Sequence, residues 1–208
     1  MKIHLLKNFK PLCYNLDKWN MIQSPLLLVT GLSGSGKTTF AQKFAKHHHA
    51  ICISFDVLKF YNESPKQSQK LLDIFMKKYP AIEKKVFNQW SKSDKINTND
   101  ILYNYYCNVF FDFLMDYSKQ HNIKIVLEGI QIFVRLHPSK SVGLPIIIIR
   151  SSSINCFLKK LKRDYITKFS IFKINLIRCL IHDAYMYHIK QKEDINKYIT
   201  YLSIIHNI

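Results

Sequence analysis

The sequence predicts an α/β protein built as a three-layer α/β/α sandwich around a parallel sheet. Four short apolar runs predict buried strands, at residues 26–30, 50–54, 124–127 and 146–149. The segments between these runs carry apolar residues at helical spacing, and strands that alternate with helices predict right-handed crossovers. The chain has 208 residues, of which 48% are hydrophobic and 22% charged, so it can bury one core of ordinary size.

The first half of the chain alternates as this fold class requires. Residues 26–30 form an apolar run, and residues 38–47 then carry apolar side chains on one face of a helix. Residues 50–54 predict the second strand. Residues 65–91 are amphipathic and predict a helical segment that is interrupted by Pro80.

The second half continues the alternation. A long helix is predicted after Thr98 and ends near residues 121–122, just before the third strand. After the fourth strand, residues 153–192 predict helix, whereas residues 195–208 fit no single element. No fifth strand is recognised after residue 165.

The chain is interpreted as one domain with a short leader. The domain covers residues 25–208, and residues 1–24 are expected to pack on it. The segment of about residues 60–122 lies between the second and third strands and is longer than a crossover needs. It therefore predicts a helical insertion.

The charge of the chain is strongly basic, at +17 from 31 Lys and Arg against 14 Asp and Glu. Two interpretations remain open. A polyanionic partner such as nucleic acid would explain it. A preference for Lys, Ile, Asn and Tyr codons, together with phosphate handling, would explain it equally, because only four of the basic residues are Arg.

The cysteines and the hydropathy indicate a protein of the cytoplasm. Five cysteines are widely spaced without a C-x-x-C pair, as expected of reduced thiols. The sequence contains no run of about 18 apolar residues, so no membrane span is expected. The first ten residues contain no apolar core typical of a signal peptide.

A phosphate-binding loop lies between the first strand and the first helix. Residues 31–38 match the pattern G-x-x-x-x-G-K-[ST] completely. Glycines let backbone N–H groups turn toward phosphate oxygens, and the helix that follows adds its positive N-terminal dipole. Lys37 would place a cation at the β- and γ-phosphates, and Thr38 would offer a hydroxyl to Mg²⁺. The predicted ATP-binding residues are Gly31, Leu32, Ser33, Gly34, Ser35, Gly36, Lys37, Thr38 and Thr39.

The segment Gly31–Thr39, G-L-S-G-S-G-K-T-T, resembles the loop of the nucleoside monophosphate kinase-like group of P-loop phosphotransferases. Adenylate, gluconate and shikimate kinases and the zeta-toxin sugar-nucleotide kinases belong to that group. The resemblance covers roughly residues 24–165, and it implies a P-loop NTPase fold with ATP and Mg²⁺ as ligands. A switch GTPase is disfavoured, because the sequence contains no N-K-x-D motif.

Asp56 follows the second predicted strand. In open α/β sheets, ligands bind beyond the carboxyl ends of the strands, which places this carboxylate near the phosphate loop. Kinases of the resembled group often carry an Asp here, so the resemblance implies that Asp56 orients and deprotonates an acceptor hydroxyl or binds the acceptor. The alternative is an ordinary capping Asp after a strand.

Glu128 follows the third predicted strand. The three apolar residues 125–127 followed by an acid form a Walker B pattern, and the expected role is to hold a Mg²⁺-bound water near Thr38. Gly129 would let backbone approach the acceptor, and the E-G pair also resembles the zeta-toxin group. The alternative for Glu128 is a structural carboxylate.

Two arginines are further candidates. Arg135 lies beyond the third strand, where relatives in the resembled group carry an Arg that clamps acceptor phosphate or carboxylate, although the spacing fits that motif poorly. The basic helical segment of about residues 153–170 corresponds to the mobile lid of those kinases. By this resemblance Arg163 would neutralise charge on the transferred phosphoryl group, with a solvated basic face as the alternative.

The sequence as a whole therefore predicts a Mg²⁺- and ATP-dependent kinase. The acceptor would be a small molecule with a hydroxyl or phosphate group, held between Asp56, Glu128, Gly129 and the helical insertion. A bulky acceptor such as a sugar nucleotide would suit the length of that insertion. The alternatives are a nucleic-acid end kinase, supported only by charge, and an ATP-binding regulator without group transfer.

Overall fold

The protein is described by a computed structural model that covers residues 10–20, 22–58, 60–80, 101–162 and 174–206. The strands are β1 (Lys10–Tyr14), β2 (Leu26–Gly31), β3 (Ile51–Ser54), β4 (Ile125–Glu128) and β5 (Ile146–Arg150). The α-helices are α1 (Lys37–His47), α2 (Lys66–Lys78), α3 (Ile101–Gln120), α4 (Gln131–Val134), α5 (Ser153–Leu161) and α6 (Ile174–His206).

The five strands form one mostly parallel sheet in the order β1-β5-β2-β4-β3. Strand β2 is at the centre and runs parallel to both β4 and β5, and β3 runs parallel to β4. Only β1 is antiparallel, and it pairs with β5 at one edge. The carboxyl ends of β2, β3, β4 and β5 therefore meet at the same edge of the sheet.

Helices cover both faces of the sheet. In β2 the residues alternate, because Leu26 and Leu28 belong to one hydrophobic cluster and Leu27 and Val29 to the other. Helix α1 packs in the cluster of Leu27, and helices α2, α3 and α6 pack in the cluster of Leu26. Burial on both faces explains why the central strands are continuous apolar runs rather than alternating ones.

The direction of the chain explains which helices lie on which face. The connection from β2 to β3 runs one way across the sheet, and the connections from β3 to β4 and from β4 to β5 run the other way. Right-handed crossovers that run in opposite directions lie on opposite faces. The reversal leaves a crevice at the carboxyl ends of β2 and β4, where ligands of open α/β sheets bind.

The structure confirms an α/β fold with helices on both faces of a sheet, and it adds one strand. Residues 10–14 lie in the segment interpreted as a leader, but they form β1. A run of five residues that contains Pro11 gives a weak strand signal, and an edge strand tolerates the missing N–H of proline. The sheet is therefore mostly parallel rather than wholly so.

The predicted helices agree with the structure where it describes them. The segment that fitted no single element, residues 195–208, belongs to α6 as far as His206. Parts of the predicted helices at residues 81–91 and 98–100 lie outside the described residues. In the described parts of the chain, no helix combines the length and apolar character needed to cross a membrane.

Candidate active site

The phosphate loop follows β2 and takes the backbone shape that its glycines permit. Gly34 has φ +85° and Gly36 has φ +89°, both in the left-handed region that side chains with a Cβ rarely adopt. Gly36 is the N-cap residue of α1, which begins at Lys37. Positive φ at Gly34 and Gly36, on either side of Ser35, is a backbone pattern that can turn N–H groups toward one side, where an anion would bind.

The loop is seated directly on neighbouring backbone. A Cβ added to Gly34 would lie 2.4 Å from the carbonyl oxygen of Cys156 in α5. A Cβ added to Gly31 would lie 2.6 Å from the carbonyl oxygen of Ile149 in β5. Because the clashing atoms belong to backbone, they cannot rotate away, and the loop can pack this closely only with glycine at both positions.

Helix α6 also reaches the loop. The side-chain oxygen Oε1 of Gln191 accepts a hydrogen bond from the backbone N–H of Ser33 at 3.3 Å. Gln191 is buried. The C-terminal helix therefore supports the back of the loop, and residue spacing alone gave no signal for this contact.

Lys37, Thr38 and Glu128 come together at the carboxyl ends of β2 and β4. In the sheet, Glu128 lies in register between Val29 of β2 and Ser54 of β3. The Thr38 hydroxyl Oγ1 donates a hydrogen bond to Glu128 Oε2 at 3.2 Å. The Glu128 side chain is 1% exposed, and Lys37 is also buried.

Burial raises the pKa of the Glu128 carboxyl group above its ordinary value. The nearby Lys37 cation and hydrogen bonds from Ser54 and Thr38 lower that pKa, whereas the negative charge of Asp56 raises it further. The Lys37 ammonium and the Asp56 carboxylate thus act on the same buried group. The strand register agrees with this, because Ser54, two residues before Asp56, pairs with Glu128, whose carboxylate bonds Thr38 of the loop.

Asp56 lies on a 3-10 turn, Phe55–Leu58, directly after β3. Its carboxylate is half-buried, and its Oδ1 accepts a hydrogen bond from Gln131 Nε2 at 2.7 Å. Its backbone N–H donates to the Ser54 hydroxyl at 3.3 Å. The strand end and the Gln131 contact together fix where this carboxylate lies.

Gly129 brings the loop after β4 close to Asp56. A Cβ on Gly129 would lie 2.8 Å from Phe55 Cβ and 2.6 Å from Gln131 Oε1. The carbonyl oxygen of Gly129 accepts a hydrogen bond from the Thr30 hydroxyl at 2.9 Å. The loop after β4 is thereby tied to β2 and packed against the turn that carries Asp56.

Arg135 lies on the same segment, after α4, and its guanidinium is held by α3. Nη1 donates a hydrogen bond to Asn104 Oδ1 at 2.9 Å, and the guanidinium carbon is 5.5 Å from the centre of the Tyr103 ring. Tyr103 also approaches Gln131, whose Nε2 lies 3.4 Å from the Tyr103 hydroxyl. Arg135 therefore borders the Asp56 side of the site without contacting Asp56 directly.

The remaining predicted site residues differ in their exposure. Leu32 and Ser35 are buried within the loop, and Thr39 is exposed on α1. Arg163 lies outside the described residues, so its predicted role stays a prediction. Gln131, Tyr103 and Gln191 were not predicted, although Gln131 follows Gly129 by only two positions and shares its loop.

The donor groups of this site suit a magnesium-bound triphosphate. The hydroxyl of Thr38 and the carboxylate of Glu128 are oxygen ligands, which Mg²⁺ prefers. The hydroxyl oxygen of Ser35 is buried inside the loop and has no hydrogen-bond partner among the described residues. A buried lysine at a helix N-terminus has the charge that suits phosphate groups.

No protein-family model matches this chain, and no curated protein matches it either.

Proposed function

We propose that this protein is a P-loop phosphotransferase that moves the γ-phosphoryl group of Mg²⁺-ATP to an acceptor molecule. One observation carries the proposal. The complete phosphate-loop motif lies at the carboxyl end of the central strand β2, the Glu128 carboxylate at the end of β4 accepts a hydrogen bond from Thr38 of that motif, and Asp56 directly follows β3, the strand beside β4. In phosphoryl transfer, catalysis consists almost entirely of positioning and electrostatic stabilisation.

The donor side of the site consists of residues 31–39. Backbone N–H groups of the loop and the N-terminus of α1 would bind the phosphate oxygens of ATP. Lys37 would stabilise the negative charge on the migrating phosphoryl group, because it is a buried cation at the start of α1. Arg163 is proposed to add a second cation from the segment after α5.

Mg²⁺ would be held by Thr38 directly and by Glu128 through a water molecule. When bound, the ion would supply positive charge that neutralises negative charge developing on the phosphate oxygens. The 3.2 Å bond between Thr38 and Glu128 keeps both oxygen ligands on the same side of the loop.

The acceptor side consists of the residues around Asp56. Asp56 is proposed to receive the acceptor and position its nucleophilic oxygen, with Gly129 providing room for backbone approach. Arg135 is proposed to bind an anionic group elsewhere on the acceptor, because its planar guanidinium borders the site and carries donors beyond the one used by Asn104.

The test compares Asp56→Asn with wild type in transfer from ATP labelled at the γ-phosphate. We expect kcat to fall by about 10²-fold or more. Binding of Mg²⁺-ATP, measured by calorimetry, should be unchanged, because Asp56 acts on the acceptor side. Asp73→Asn is the matched control, since Asp73 is an exposed carboxylate that only bonds Tyr61. Lys37→Ala should abolish transfer, and Lys43→Ala, on the exposed face of α1, should not.

The proposal fails if wild-type protein shows no heat on titration with Mg²⁺-ATP. If Asp56→Asn and Asp73→Asn have the same kcat, the assignment of Asp56 to the acceptor side is wrong. ATP binding without transfer to any acceptor would instead favour a regulatory ATP-binding protein.

A further inference from the structure

The Gln131 carboxamide contacts Asp56 in one defined orientation. Its Nε2 donates to Asp56 Oδ1 at 2.7 Å and lies 3.4 Å from the Tyr103 hydroxyl. Gln131 is 6% exposed, and its Oε1 has no hydrogen-bond partner among the described residues. If the amide were flipped, Oε1 would face a carboxylate oxygen, so the contact with Asp56 fixes the orientation even though it leaves a buried oxygen unpaired.

Because of this contact, the two oxygens of the Asp56 carboxylate have different surroundings. Oδ1 is occupied by Gln131. For Oδ2, the described part of the chain provides no hydrogen-bond donor, and the carboxylate is only half-buried. An ionised carboxylate accepts hydrogen bonds and donates none, so Oδ2 suits a ligand that presents an O–H group.

The charges around this oxygen disfavour a phosphate as the accepting group. Glu128 is close enough for the Asp56 charge to act on it, so two acidic groups share the site. The Lys37 cation lies in the phosphate loop, on the donor side, and the Arg135 guanidinium contacts Asn104 and Tyr103 rather than Asp56. A phosphate acceptor would bring further negative charge against Asp56, whereas an uncharged hydroxyl would not.

We propose that Gln131 is a positioning residue and that the acceptor group at this site is a hydroxyl. Gln131 holds Asp56 through Oδ1, so that Oδ2 receives the acceptor O–H. The proposal rests on the phosphotransferase function proposed above and names the group that is phosphorylated. The acceptor oxygen forms a bond to the γ-phosphorus of ATP, and the bond from that phosphorus to the β,γ-bridging oxygen breaks, so ADP leaves with the electron pair. The hydroxyl proton passes to Asp56 and then to solvent. Alcohol and ATP thus become a phosphomonoester, ADP and a proton.

The first test identifies the bond that is formed. A small-molecule cell extract is incubated with wild-type protein and Mg²⁺-ATP labelled at the γ-phosphate, with Lys37→Ala as the blank. Labelled products are then treated with hot acid, which hydrolyses phosphoanhydrides and leaves alkyl phosphomonoesters intact. We expect an acid-stable product that alkaline phosphatase cleaves.

An acid-labile phosphoanhydride product would overturn the hydroxyl assignment and leave the phosphotransferase function standing. Absence of any labelled product beyond the blank would count against the phosphotransferase function and against this inference together. The two failures are therefore distinguishable.

The second test addresses Gln131 itself, using the labelled product of the first test as the readout. Gln131→Met keeps the length of the side chain and removes the donor to Asp56. We expect kcat to fall by about 10²-fold while the Kd for Mg²⁺-ATP stays at the wild-type value. Gln69→Met is the matched control, because Gln69 Nε2 bonds only the backbone oxygens of Tyr61 and Ser64.

Two outcomes would overturn the role of Gln131. One is a kcat for Gln131→Met equal to that of Gln69→Met. The other is an equal loss of kcat and of Mg²⁺-ATP binding, which would indicate a general structural effect. Thermal unfolding of both variants establishes that the comparison is made on folded protein.

Discussion

Glu128 is a carboxylate placed where its ionised form is costly. It is 1% exposed, and burial is the largest cause of its raised pKa. The Lys37 cation and two hydroxyl donors only partly offset that burial. If Mg²⁺ binds at this site as proposed, the added positive charge would lower the pKa of Glu128 and favour its ionised form.

The raised pKa of Glu128 predicts a pH dependence of stability. Because the folded state holds this proton more tightly than the unfolded state, the contribution to the free energy of unfolding is full below pH 4.5. It is lost as the pH rises through the folded pKa. We expect the Tm of wild type, measured without nucleotide, to fall relative to that of Glu128→Gln as the pH rises above about 4.5.

Glu193→Gln serves as the control for that titration, since Glu193 is an exposed carboxylate on α6. Its Tm should follow wild type at every pH. Parallel curves for wild type and Glu128→Gln would mean that Glu128 has the same pKa in both states, against the effect of burial argued above.

At the scale of elements, the phosphate loop is held on three sides. Strand β5 lies under Gly31, α5 lies against Gly34, and α6 reaches Ser33 through Gln191. Within the loop the Ser35 N–H bonds the Leu32 carbonyl oxygen at 3.0 Å, whereas the Ser33 N–H bonds Gln191 of α6, so the shape of the loop depends partly on packing from outside. Three separate elements provide that packing here.

Replacing Gly34 by Ala tests this packing. The residue has φ +85°, and a Cβ would lie 2.4 Å from the backbone oxygen of Cys156. Gly143 is the matched control, because it has φ +77° and open space around its Cβ position. We expect Gly143→Ala to lower the free energy of unfolding by about 1–2 kcal/mol through backbone strain alone.

Gly34→Ala should cost clearly more than Gly143→Ala in urea unfolding and should also abolish Mg²⁺-ATP binding, because either the loop or α5 must shift. Equal costs for the two variants, with ATP binding retained, would contradict the close seating of the loop on α5.

At the scale of the whole molecule, the two ends of the described chain share one core. Tyr14 of β1 and Leu202 of α6 belong to the same hydrophobic cluster, which also contains residues of β2 and α3. The helix that supports the phosphate loop is thus anchored in the main core on one face of the sheet. Stability and the shape of the site are therefore linked through α6.

Leu202→Ala is expected to lower the free energy of unfolding by about 2–5 kcal/mol, because Leu202 is fully buried and its truncation leaves a cavity. Ile204→Ala is the control on the same helix, since Ile204 is 70% exposed, and its effect should stay within about 0.5 kcal/mol. Chemical denaturation monitored by circular dichroism measures both. Similar values for the two variants would contradict the packing of α6 described here.

Local sequence was enough to predict the elements that depend on local patterns. Strands β2 to β5 end within one residue of the predicted ends, and α1 begins within one residue of its expected start. Strand β1 was missed, because an edge strand of five residues owes its structure to pairing with β5 rather than to its own composition. The same reason explains α6, whose last turns fitted no single element by pattern and are helical in the packed chain.

The amino-acid sequence by itself determined the phosphate loop and the order of strands and helices, because turn conformation, helix start and hydrophobic periodicity are set by neighbouring residues. Tertiary structure alone decided that Gln131 would bond Asp56 across 75 positions and that Gln191 would bond Ser33 across 158. Contacts of that separation depend on how the strands are ordered in the sheet and how the helices pack on it, and no local pattern encodes either.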